Sequence, residues 1–94
     1  MILSALNIST GRSLSSSQVR SMAFTYCIGN PGTRATLVIK DIEHGKPYTV
    51  IVEANTQGYM TTEATKALNA KLSWLDINTV GAYVVEFQEV TNNA

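Results

Sequence analysis

Between Gly29 and Arg34 the apolar residues of this chain change period, and that change limits the fold more than any other feature. Val19, Met22, Ala23, Tyr26 and Cys27 recur at spacings of three and four, which is the stripe of an amphipathic helix. Past Arg34 the period is two: Leu37 and Ile39, then Tyr48, Val50 and Val52, alternate with other residues as half-buried strands do. A chain that carries both periods buries both apolar surfaces by packing helix on sheet.

Local signals divide the rest. Residues 2–8 predict a short strand. Ser15 followed by Gln18 is a capping box, and Leu14 and Val19 stand where a hydrophobic staple would hold the helix entry. Gly29 and Pro31 predict the helix stop. Residues 34–42 and 47–54 predict two strands joined through Glu43-His44-Gly45-Lys46, with Ile42 opposite Pro47 and with Gly45 supplying a positive φ. Their second face carries Thr36, Val38, Lys40, Thr49, Ile51 and Glu53. Thr61 or Thr62 caps a second helix with a buried stripe of Ala64, Ala67, Leu68, Leu72 and Leu75, Trp74 at its edge, and an end at Asp76-Ile77-Asn78. Residues 82–90 predict the last strand. The order is strand, helix, strand, strand, helix, strand over a single domain, residues 1–94. It predicts an α+β fold, a four-stranded antiparallel sheet with two helices on one face in the ferredoxin-like βαββαβ arrangement.

The ionisable inventory is thin for chemistry. One histidine, one cysteine and seven acidic residues are spread over 94 positions, whereas nucleophilic, acid–base and metal chemistry each need several such groups at one point. Cys27 falls in the helical stripe and has no disulfide partner, so it reads as core. His44 falls at a hairpin tip. The serines at 13–17 lack the glycine frame of a nucleophile elbow, and Thr10-Gly11-Arg12-Ser13 has one glycine and no lysine, too little for a phosphate loop. These residues predict a non-enzymatic protein with no metal and no cofactor.

Seven basic residues balance the seven acidic ones, so direct nucleic-acid binding is not expected, and the outer strand positions hold no aromatic platform for stacking bases. No run approaches the roughly 18 apolar residues of a membrane span, and the first eight residues lack the pattern of a signal peptide; a cytoplasmic protein that does not enter membranes is expected. Function then falls to surfaces. Val38, Ile51 and Val84 on the outer sheet face predict an interface, either with another protein or with a second copy in a homodimer. Trp74 and Tyr59, near Lys66 and Lys71, predict a second surface around the later helix.

In size and architecture, including the helix at residues 64–75 between the hairpin and the last strand, the chain resembles the small proteins with which phages block bacterial defence. The resemblance is to the anti-CRISPR proteins in particular. The chain's neutral charge differs from the strongly acidic, DNA-mimicking members. The resemblance implies a stoichiometric inhibitor in the bacterial cytoplasm that occludes a CRISPR ribonucleoprotein complex. Arg12, Arg20, Arg34, Lys40 and Lys46 would meet acidic or RNA-bearing surfaces, and Trp74 or Tyr59 would act as an apolar anchor. The alternative is a self-associating structural or assembly protein of a virus or mobile element.

Overall fold

The computed structural model describes residues 13–89. The strand expected at residues 2–8 and the partner contact expected at Arg12 lie outside them. Helix α1 (Ser16–Gly29) begins with the capping box: the Ser15 hydroxyl accepts the Gln18 N–H at 3.3 Å, and the Gln18 side chain accepts the Ser15 N–H at 2.8 Å. Leu14 and Val19, on either side of the cap, are both buried. At the other end the Asn30 side-chain amide donates to the Tyr26 carbonyl at 2.9 Å and the Asn30 N–H to that of Cys27 at 3.2 Å, satisfying carbonyls that the helix leaves open.

Strands β1 (Arg34–Asp41) and β2 (Pro47–Glu53) form the hairpin, with Lys40 rather than Ile42 opposite Pro47. The expected register is wrong by two residues, and the cause is Asp41. Its carboxylate accepts the backbone N–H groups of His44 at 2.6 Å and Lys46 at 3.3 Å, which holds a wider turn than a tight hairpin. Gly45 sits in that turn at φ 66°, where a side chain would be strained. A two-residue shift leaves every side chain on its expected face, because strands repeat every two residues.

Helix α2 (Thr62–Asn78) is capped by the Thr61 hydroxyl, which accepts the Ala64 N–H at 3.2 Å. Ala64, Leu68, Leu72 and Leu75 are buried as the stripe predicts, but Ala67 is exposed. Strand β3 (Tyr83–Glu89) follows and pairs antiparallel with β1.

The described sheet has three strands in the order β2-β1-β3, and this overturns the expected four-stranded, ferredoxin-like βαββαβ arrangement. In that arrangement the strand at residues 34–42 would lie at an edge and the last strand would pair with the first. Instead β1 is central and pairs with β3 directly, Leu37 opposite Phe87 and Ile39 opposite Val85. The helices cover one face, where Ala35, Leu37, Ile39, Val52, Leu72 and Leu75 are removed from solvent. Tyr26 of α1 stacks on Phe87 of β3 with ring centroids 4.8 Å apart. Arg20 on α1 donates to Asn69 on α2 at 2.7 Å, joining the two helices outside the core.

Strand order has a direct readout. The β1 residues at even positions send their N–H groups toward β3, as the bond from Ile42 N–H to the Ala82 carbonyl at 3.0 Å shows just past the strand. The amides of Thr36, Val38 and Lys40 should therefore exchange slowly with deuterium; fast exchange at these three would return β1 to an edge. Ser15→Ala should cost about 1 kcal/mol in urea unfolding through the lost cap.

Candidate functional site

Antiparallel pairing brings the end of β1, the start of β2, the end of α2 and the start of β3 to one end of the molecule. The entry to α1 joins them there: Leu14 and Tyr83 exchange backbone hydrogen bonds of 2.7 and 2.9 Å. Most of the side-chain chemistry in the described residues lies at this end, in three groups.

The first group centres on Asp76, in the last turn of α2. Its Oδ1 accepts the Ser16 hydroxyl at 2.6 Å and the Tyr83 phenol at 2.6 Å, and Oδ2 lies 2.7 Å from the same serine oxygen. A carboxylate is disfavoured at a helix C-terminus by the dipole, and two hydroxyl donors offset that cost. Burial first, and then donation to the Asp76 carboxylate, push the Tyr83 phenol above its ordinary pKa. A serine beside a carboxylate and a tyrosine looks like catalytic machinery. Both hydroxyls are spent as donors to the one carboxylate, Ser16 from α1 and Tyr83 from β3. The arrangement instead clamps α1, α2 and β3 together.

The second group is the turn after β1. Asp41 is 2% exposed, and the His44 N–H bond holds its carboxyl below the usual carboxylate range against the opposing effect of burial. The His44 ring is 72% exposed, with Nδ1 3.7 Å from Asp41 Oδ1 and 3.8 Å from Glu43 Oε1. Among the described residues no three histidine, cysteine or acidic side chains converge on a metal-sized space. Cys27 lies elsewhere, buried in α1, where desolvation pushes its thiol up and away from the reactive thiolate.

The third group is aromatic and cationic. Tyr48 and Trp74 meet across β2 and α2 with centroids 5.8 Å apart. Lys71 Nζ stands 5.7 Å from the Tyr48 ring and 5.9 Å from that of Trp74, while Lys46 Nζ stands 5.8 Å from Tyr48. Three further large apolar side chains are exposed at this end of the molecule: Ile77 at 82%, Val80 at 59% and Ile42 at 47%.

Of the residues singled out in the sequence, the structure brings Lys46, Lys71 and Trp74 into this group and scatters the others. Arg20 is engaged between the helices. Arg34 and Lys40 lie near opposite ends of β1, the first across from Glu53 and the second between Pro47 and Val84. Tyr59 is exposed in the loop before α2, beside the turn held by Asn55. On the outer sheet face Val38 stands between Thr49 and Glu86, so Val38, Ile51 and Val84 are interleaved with polar neighbours. Ile77 and Val80 were not expected to matter. Tyr48, on the apolar face of β2, is half-buried against the core, and its place at the start of the strand next to Lys46 brings it to the rim.

The Asp76 clamp makes an alkaline prediction. A folded-state pKa raised above the unfolded value contributes stability that is present below the unfolded pKa and lost as pH rises through the folded one. Stability should therefore fall above about pH 10, the ordinary tyrosine range. Tyr83→Phe should cost about 1–2 kcal/mol at neutral pH and flatten that alkaline decline, measured by urea unfolding across pH. The depressed Asp41 works in the opposite sense: its contribution is present above the ordinary carboxylate range and is lost as pH falls through its lowered pKa, so Asp41→Asn should flatten the acid limb.

No protein-family model, curated protein or solved structure matches this chain.

Proposed function

We propose that this chain is a non-enzymatic binding protein that acts by stoichiometric contact with a protein partner. The observation that carries the reading is the end of the molecule where Trp74, Ile77, Val80 and Ile42 are all exposed and Lys46 and Lys71 stand at the rim. Exposed aromatic and apolar groups of this kind fill the centres of protein interfaces, and charged groups stand at their rims. Zero net charge weakens the alternative of a nucleic-acid surface, whose affinity would rest on phosphate contacts. No helix among the described residues is long and apolar enough to cross a membrane.

The narrower reading is a phage-type inhibitor that occludes a CRISPR surveillance complex in the bacterial cytoplasm. It is supported by chain length and α+β character, and it names the partner to test first.

Tagged protein should recover a stoichiometric, salt-resistant complex from a lysate that contains an active CRISPR system. Trp74→Ala should weaken that complex at least about tenfold. Ile77→Gln should weaken it too while changing folding stability by no more than about 0.5 kcal/mol, because the side chain is already in water. Binding that survives both substitutions would remove this end of the molecule as the contact surface. Recovery of a different protein would retain the binding role and dismiss the CRISPR target.

A further inference from the structure

The free edge of β2 carries an observation independent of the apolar end. Along a strand, successive residues send their N–H and C=O groups to opposite edges. Ala54 N–H bonds to the Thr33 carbonyl at 2.9 Å and Asp41 N–H to the Lys46 carbonyl at 3.3 Å, so the even-numbered residues of β2 face β1. Pro47, Thr49, Ile51 and Glu53 face outward. Proline has no N–H, and the Glu53 carbonyl is occupied by the Thr61 N–H at 2.9 Å. The backbone groups of Thr49 and Ile51 are left without a partner among the described residues. Between Pro47 and Glu53 the strand has no charge and no bulge, the devices that normally keep an edge from pairing.

Beside this edge runs a groove of about 510 Å³ whose helical wall includes Glu63, Ala67 and Lys71. These three residues, spaced by four, form one ridge of α2. A small side chain stands at its centre, with an acid four residues before it and a base four residues after. Neither charge is in an ion pair among the described residues. Such a ridge is complementary to itself when antiparallel: about a two-fold axis at Ala67, Glu63 of each copy meets Lys71 of the other.

The strand selects a compatible axis. Helix α2 runs back along β2, from the Thr61–Glu53 bond at one end to Lys71 over Tyr48 at the other, so Ala67 stands beside the middle of the strand. A two-fold at Val50 sets Thr49 opposite Ile51 of a second copy, the register in which the unpartnered groups of both residues bond to one another. Each alternative leaves one group unbonded: centring on Thr49 sets the Ile51 carbonyl opposite Pro47, which has no N–H, and centring on Ile51 sets the Thr49 N–H opposite the occupied Glu53 carbonyl. We propose that this chain pairs with a second copy of itself through the edge of β2, building one continuous antiparallel sheet with the two α2 helices antiparallel across the axis. The pairing shares Lys71 with the surface assigned to a protein partner, but it rests on the β2 edge and on Glu63, which lie outside that surface.

Charge exchange tests it by sedimentation and light scattering. The wild-type chain should be a dimer. Glu63→Lys and Lys71→Glu each place like charges opposite one another twice, and each should weaken dimerisation at least about tenfold. An equimolar mixture of the two variants should regain the dimer mass, because each then presents the charge that the other lacks, and so should the double variant. Both side chains lie outside the core, so far-UV circular dichroism should show both variants folded. A folded wild-type chain that stays monomeric up to about 1 mM would overturn the proposal and leave the edge open to a foreign strand. So would a dimer that neither reversal weakens, or a mixture that fails to restore what each reversal removes.

Discussion

Strand β1 is paired along both edges, and the rest of the fold follows from that. With β2 on one side and β3 on the other, its inward residues Ala35, Leu37 and Ile39 are enclosed completely and become the floor of the core. The helices then have one apolar face to cover, which they share through the Tyr26–Phe87 stack and the Leu68, Leu72 and Leu75 stripe. A central β1 also leaves β2 at the border of the sheet. Moving the strand at residues 34–41 to an edge, as a ferredoxin-like order requires, would give up its whole ladder to β3.

The same constraint arranges the candidate surface. Because β1 pairs with both neighbours in antiparallel fashion, its C-terminal end meets the beginnings of β2 and β3, and α2 must finish there before β3 can start. Asp41 and Asp76 are the two carboxylates that secure this end, one by accepting backbone N–H groups of a turn and the other by accepting hydroxyls from α1 and β3. With the end held in this way, Trp74, Ile77 and Val80 are displayed on an ordered frame, and little ordering entropy remains to oppose a partner. Asp41 and Asp76 are spent on architecture.

What was legible in the sequence is what neighbours in the chain decide. The capping box at Ser15 and Gln18, the cap at Thr61 and the glycine of the turn appear as expected because each involves groups a few residues apart. The inward faces of β1, β2 and β3 were legible too, and they survive even the register error, since a two-residue slip does not turn a strand over. Ala67 shows the limit of periodicity. It keeps the helical spacing of its stripe, yet it lies at the margin where α2 passes the edge of the sheet, and whether a marginal position is covered depends on where the sheet stops. The candidate site was legible only in part: Trp74 and Lys46 stood out as chemical types, while their meeting through Tyr48 depends on how α2 lies across β2.

By itself, then, the sequence determined the element types, their caps and which side of each strand is apolar, because these are set by local hydrogen bonds and by the periods of helix and strand. Only the tertiary structure decided which strand is central, which edge is left open and which exposed side chains share a surface. These are choices among partners far apart in the chain, and an alternating strand offers the same apolar face to any of them. The choice of β3 beside β1 rests on the packing of both helices over the joined strands, which no single segment encodes.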